Sequence, residues 1–268
     1  MTPSAIVVIP ARLSSTRLPR KMLLAETGRT LVEHTWRNAA SASGPVATIV
    51  ATDSDEIAAA VRAFSGAVVM TSPEATSGTA RIVEALDRLP PADVIVNVQG
   101  DEPELPAAAI DLAVSLLGRC PEAGVATLVT PLRRREDLED PAAVKAELTA
   151  WRHPAGGAWT GPAEDGCWRA ITFSRAAVPF ARDWSDSLLA AEPPIYWQHV
   201  GVYAYRRRVL ETWNALPESR LAVHESLEQL RVVEAGIPIV AGVIAHAARG
   251  IDTPKDYAAF VARQRAGG

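Results

Sequence analysis

Five short apolar runs, at residues 6–9, 47–51, 67–70, 94–98 and 125–129, alternate with helical patterns through the first half of the chain, and this alternation restricts the fold more than any other feature. Runs of this length, rich in Val and Ile, read as buried strands. Thr30-Leu31-Val32-Glu33 is a capping box that opens a helix running to about residue 42. Asp53-Ser54-Asp55-Glu56 opens a second to about residue 64, and further helices are expected over about 79–89 and 107–117. Strands that alternate with helices of this size imply right-handed βαβ crossovers. The expected class is therefore α/β, with a mostly parallel central sheet and helices on both faces.

The second half is less regular. Residues 151–166 are rich in Gly, Pro and Trp and read as an exposed loop or hairpin insertion. Beyond them the pattern predicts strands at 168–173 and 200–205, helices at 207–215 and 223–235, the latter ended by Gly236, a strand at 239–243 and a last helix at 254–263. Pro254 suits a first helical position, with Asp252 or Thr253 as its cap. No internal repeat or low-complexity segment interrupts the chain, so the expectation is one domain over 1–268 with a smaller lobe at about 131–205.

A chain of 268 residues with 48% hydrophobic content can bury a full core. Its formal net charge of −4 argues against nucleic acid or an anionic membrane as principal partner, because both require a basic field. Cys120 and Cys167 are too few and too far apart for a disulfide framework or a zinc site. The opening residues lack the pattern of a signal peptide and no apolar stretch approaches membrane-spanning length, which predicts a cytoplasmic protein.

The first strand leads into Pro10-Ala11-Arg12-Leu13-Ser14-Ser15-Thr16-Arg17-Leu18-Pro19-Arg20-Lys21, with Pro10 expected to end the ladder. Ligands of open α/β sheets bind beyond the carboxyl ends of the strands. Arg12, Arg17 and Lys21 there can grip a polyphosphate by bidentate and point-charge contacts, although a solvated basic loop has the same composition. Val96-Asn97-Val98-Gln99-Gly100-Asp101-Glu102-Pro103 ends a strand in an amide, a glycine and two carboxylates. Asp101 is placed either to bind Mg²⁺ or to cap a helix. Asp252, in Gly250-Ile251-Asp252-Thr253-Pro254, has the same two readings and can complete a magnesium site with Asp101.

Ser77-Gly78-Thr79-Ala80-Arg81 presents free backbone N–H groups at a helix start, or simply a cap. Phe173-Ser174-Arg175, Gln198-His199-Val200-Gly201-Val202-Tyr203 and Glu225-Ser226-Leu227-Glu228-Gln229 each admit an ordinary structural role, such as a core histidine or a surface ion pair.

Taken in order, these segments resemble the 3-deoxy-manno-octulosonate cytidylyltransferases, with matching pieces from Ile9-Pro10-Ala11-Arg12 to Asp252-Thr253-Pro254 across nearly the whole chain. The resemblance implies a nucleotidyltransferase fold akin to the GT-A glycosyltransferases, with the smaller lobe serving acceptor binding and dimerisation. It also implies a homodimer and a Mg²⁺-dependent transfer of CMP from CTP to the anomeric hydroxyl of the sugar acid Kdo, in lipopolysaccharide biosynthesis. Within the resemblance, Arg12, Lys21, Asp101 and Asp252 match catalytic positions, and the two aspartates match the metal carboxylates. Ala11, Arg12, Arg17, Lys21, Ser77, Gly78, Arg81, Gln99 and Asp101 match nucleotide-binding positions. Gln99, Arg175, His199, Tyr203, Glu228 and Gln229 match positions around the acceptor. The chain departs from the family pattern at Arg20, where glycine usually precedes the lysine, at Ala75, where histidine is common, and at Leu221-Ala222, where a Leu-Glu pair is usual.

Overall fold

The computed structural model describes residues 2–151, 166–247 and 250–266. In chain order these form β1 (Ala5–Ala11), α1 (Leu31–Ala40), β2 (Pro45–Thr52), α2 (Asp55–Ala63), β3 (Ala67–Met70), α3 (Gly78–Ala85), β4 (Val94–Asn97), α4 (Ala107–Arg119) and β5 (Val125–Pro131). There follow α5 (Arg135–Glu139), β6 (Lys145–Ala150), β7 (Trp168–Ser174), β8 (Trp197–Arg206), α6 (Arg207–Glu211), α7 (Arg220–Glu225), α8 (Gln229–Glu234), β9 (Ile239–Val243) and α9 (Pro254–Ala266). Most of the insertion expected over 151–166 lies outside the described residues.

The chain divides into two compact units. The first comprises Pro3–Asp111 with Ala248–Gly268, and its strands run in the order β3-β2-β1-β4, each pair parallel. All seven residues of β1 are buried, as expected for a parallel strand covered on both faces. The ladder does not end at Pro10: Pro10 pairs with Ala51 and Ala11 with Thr52. Pairing with β4 stops at Val8, so the missing proline N–H falls where β1 has a registered neighbour on one side only. The helices follow the sequence's caps. Thr30 Oγ1 accepts from Glu33 N at 3.3 Å, and Ser54 Oγ accepts from Ile57 N at 3.3 Å.

The second unit comprises Met1–Thr2 with Leu112–Ala247 and contains the whole of 131–205. Its strand order is β8-β5-β9-β7-β6, with β6 touching β8 again through Lys145 and Gln198. Here only β5–β9 is parallel; β5–β8, β6–β7 and β7–β9 are antiparallel. The class is α/β, and this unit contributes a mixed sheet.

Two elements of this unit, α5 and β6, are absent from the sequence expectation. Lys145 and Glu147 interrupt the apolar signal of β6, yet Lys145 is fully buried, its ammonium donating to the Asp140 carbonyl at 2.8 Å. The helix expected over 223–235 is two helices, because Ser226 takes a left-handed conformation (φ 51°) that ends α7 before α8 begins. The helix expected over 207–215 also stops early, at Glu211, and a 3-10 turn follows. Among the described residues no helix is long and apolar enough to cross a membrane.

Candidate active site

At the end of β1 the chain leaves the sheet and exposes Arg12, which pairs with no carboxylate among the described residues. Arg17 and Lys21 turn back. The Arg17 guanidinium lies 2.9 Å from Asp252 Oδ2, and Lys21 Nζ lies 2.5 Å from Asp101 Oδ2 and 3.0 Å from Asp252 Oδ1. The Lys21 side chain is only 13% exposed and also donates to the Ile251 carbonyl at 3.3 Å. One ammonium therefore joins two acidic segments that are far apart in the sequence, one after β4 and one just ahead of α9.

The backbone explains why those segments meet. A Cβ on Gly100 would stand 3.1 Å from the Pro10 carbonyl oxygen and 3.0 Å from Met22 Sδ, so the exit from β4 passes the β1 loop too closely for a side chain. The Gly100 carbonyl accepts from Thr35 Oγ1 at 2.7 Å, and the Asp101 carbonyl accepts from Ile251 N at 2.8 Å. This last bond ties the segment ahead of α9 to the one after β4. Neither aspartate caps a helix: α4 starts only at Ala107, and α9 is capped by Thr253, whose Oγ1 accepts from Asp256 N at 3.2 Å while Asp256 Oδ2 accepts from Thr253 N at 2.9 Å. With the cap supplied by its neighbour, Asp252 is left to face the cations.

Among the described residues no group of three or more His, Cys, Asp or Glu side chains is placed to hold a metal ion. Asp101 and Asp252 nevertheless converge on one atom, and two carboxylates suit Mg²⁺, which commonly completes its oxygen shell with water and substrate phosphates. Next to them Glu102 is enclosed, with Oε2 bonded to nothing described. Burial, and then the charges of Asp101 and Asp252, raise its carboxyl to a pKa of about 8.

The remaining residues that the resemblance matches to the nucleotide lie in the first unit. Ser77 is the cap of α3, accepting from Ala80 N at 3.1 Å, and a Cβ on Gly78 would lie 3.1 Å from Pro10 and 3.8 Å from the Gln99 amide oxygen. Gln99 itself donates to Asn97 Oδ1 at 3.2 Å. Arg81 is buried and occupied within the unit: it pairs with Asp53 at 3.0 Å and donates to Thr71 Oγ1 at 2.5 Å. Ala11 is buried in the β1–β2 ladder.

Apart from Gln99, the residues that the resemblance matches to the acceptor all lie in the second unit. The His199 ring meets Phe173 edge-on at 5.1 Å and Tyr203 at 5.2 Å, and Thr127 Oγ1 lies 2.9 Å from its Nε2. Enclosure lowers the imidazole pKa to about 3, so the ring is neutral at physiological pH. Arg175 follows β7, and its Nε donates to the Glu225 carbonyl at 2.6 Å and one terminal nitrogen to the Pro141 carbonyl at 2.9 Å. Gln229 is buried on α8 with its amide nitrogen unpartnered among the described residues, and Glu228 immediately precedes it.

Three residues receive no role from the sequence, although Glu102 and Glu225 lie in segments it singles out. The Glu225 carboxylate clamps the turn after β7, accepting from Ser174 Oγ at 2.7 Å and Arg175 N at 2.9 Å, bonds that lower its pKa. Thr127, which no local pattern marks, owes its place to a distant contact, and Glu102, one of the two carboxylates after β4, is set apart by its enclosure.

The chain belongs to the cytidylyltransferase family, whose model matches residues 6–239. It is 45% identical over 259 residues to a 3-deoxy-manno-octulosonate cytidylyltransferase of Rhodopirellula baltica, covering 96% of this chain and 97% of that one. It is 40% identical over 253 residues to an 8-amino-3,8-dideoxy-manno-octulosonate cytidylyltransferase of Shewanella sediminis, covering 93% and 94%. Among solved structures, a CMP:2-keto-3-deoxy-manno-octonic acid synthetase complexed with CTP superposes with a TM-score of 0.84 at 34% identity, covering 99% of this chain and all of that one.

Proposed function

We propose that this protein transfers CMP from CTP to the anomeric hydroxyl of 3-deoxy-manno-octulosonate, releasing pyrophosphate. The observation that carries this reading is the meeting of Lys21 and Arg17 with Asp101 and Asp252 beyond the ends of β1 and β4. Nucleotidyl transfer needs little proton chemistry from the protein. Positioning and charge neutralisation do most of the work, and a site of cations and paired carboxylates suits that demand.

Arg12, Arg17 and Lys21 hold the triphosphate, with Ser77, Gly78 and Arg81 on the cytidine side. The anomeric oxygen bonds to the α-phosphorus as the bond to the oxygen bridging the β-phosphate breaks. Pyrophosphate departs and the hydroxyl proton passes to solvent. Mg²⁺ held by Asp101 and Asp252 would supply positive charge to the phosphate oxygens and acidify the hydroxyl. Gln99, Arg175, His199, Tyr203, Glu228 and Gln229 orient the sugar acid.

The same reading carries a nucleotidyltransferase fold of the GT-A kind, residues of about 131–205 as the acceptor and dimerisation lobe, a homodimer, and a cytoplasmic role in lipopolysaccharide synthesis. Its test is pyrophosphate release with CTP and each of Kdo, 8-amino-3,8-dideoxy-manno-octulosonate and other 2-keto sugar acids. The highest kcat/KM is expected with Kdo. No release with Kdo above the no-acceptor rate overturns it.

A further inference from the structure

Tyr203 lies four positions after His199, and on a regular strand that spacing places two side chains about 13 Å apart. Here the ring centroids are 5.2 Å apart. The cause is a bulge in β8: Thr127 is registered with Tyr203 while the next residue of β5, Leu128, is registered with Val200, so Gly201 and Val202 are extra. Bulges of this kind re-aim side chains beside functional sites.

The bulge is stitched from the facing strand by one hydroxyl. Thr127 Oγ1 is fully buried and lies 2.9 Å from the Val202 carbonyl oxygen, 3.3 Å from that of Val200 and 2.9 Å from His199 Nε2. A threonine hydroxyl has one proton to give and lone pairs to receive. The two carbonyls can only accept, so that proton goes to them, and the His199 nitrogen can satisfy the remaining contact only by donating. With that assignment the imidazole carries its proton on Nε2. Its Nδ1 has no partner among the described residues.

We propose that Thr127 is a positioning residue for acceptor recognition: its hydroxyl fixes His199 as the Nε2–H tautomer, so that Nδ1 accepts a hydrogen bond from a hydroxyl of the sugar acid. The inference rests on the proposed reaction for the identity of that partner, and on the structure alone for the tautomer. Thr127 touches no substrate; it acts through His199.

Two measurements test it. Long-range proton–nitrogen NMR of histidine-labelled protein at pH 7, with His199→Gln used for assignment, should show a pyrrole-type Nε2 and a pyridine-type Nδ1 at His199. In kinetics Thr127→Val should raise KM for Kdo about tenfold, the scale of one hydrogen bond, with KM for CTP changed less than about twofold. Thr127→Ser, which keeps the hydroxyl, should recover most of that loss. A protonated Nδ1 in the unsubstituted protein overturns the proposal, as does a valine variant with unchanged KM for Kdo or with equal losses for both substrates. Absence of turnover with any sugar acid would instead refute the reaction, and the NMR result would still decide the tautomer.

Discussion

Asp252 and Asp101 share a single cation: each carboxylate contacts Lys21 Nζ, at 3.0 Å and 2.5 Å. Without that ammonium Asp101 loses its cation and Asp252 keeps only the exposed Arg17 guanidinium, and a divalent ion becomes the natural replacement. Lys21→Met should therefore gain more in melting temperature from added Mg²⁺, without CTP, than the unsubstituted protein does. Thermal denaturation across a Mg²⁺ titration checks this, and equal shifts for the two proteins would contradict it.

Arg20 holds a left-handed conformation at φ 57° and ψ 26°, one that costs an ordinary L-residue free energy and glycine almost none. Its guanidinium pairs with Glu56 in a surface ion pair that solvent screens. Arg20→Gly should raise the melting temperature by roughly 2 °C, since the strain relieved exceeds the pair lost. A fall in melting temperature would give the pair the larger share.

His199 links acidity to stability. Its folded pKa, about 3, lies below the ordinary 6.5, so between those values the unfolded chain binds the extra proton. The stability is complete above about pH 6.5 and is lost as pH falls toward 3. From pH 7 to pH 5 the unsubstituted protein should lose about 2 kcal/mol more than His199→Gln does. Urea midpoints at the two pH values measure the difference, and parallel losses would refute it.

Arg81 has an assignment beside the cytidine in the proposed reaction, and a structural task that the geometry makes explicit. Its side chain is 4% exposed and its partner Asp53 16%, so truncation strands a nearly buried carboxylate. Arg81→Ala should cost about 3 kcal/mol of stability, as loss of one partner from a buried pair does. Denaturant unfolding of the unliganded protein checks it; a loss below about 1 kcal/mol would leave Arg81 a nucleotide contact without a structural load.

Local chemistry explains which parts could be read in advance. The strands of the first unit are continuous apolar runs, and its helices carry their own caps at Thr30 and Ser54, so neighbours along the chain suffice. The ambiguity at Asp252 was also local, cap or ligand, but its resolution came from Thr253 and Asp256 forming the cap between them. In the second unit the deciding features are ones that hydrophobic spacing does not encode. Ser226 breaks a helical pattern that the apolar spacing continues, and Lys145 hides a strand whose ammonium is satisfied by the Asp140 carbonyl. The His199 environment depends on a β5 threonine and on a bulge that periodicity does not encode.

Asp101 carries the central claim, because it stands at the point where the β4 exit, the cationic loop and the segment ahead of α9 come together. The direct test is pyrophosphate release from CTP and Kdo by Asp101→Asn with saturating substrates and Mg²⁺. The substitution keeps the shape and removes one charge, and the account predicts a fall in kcat of at least about a thousandfold. Turnover equal to that of the unsubstituted enzyme would contradict it.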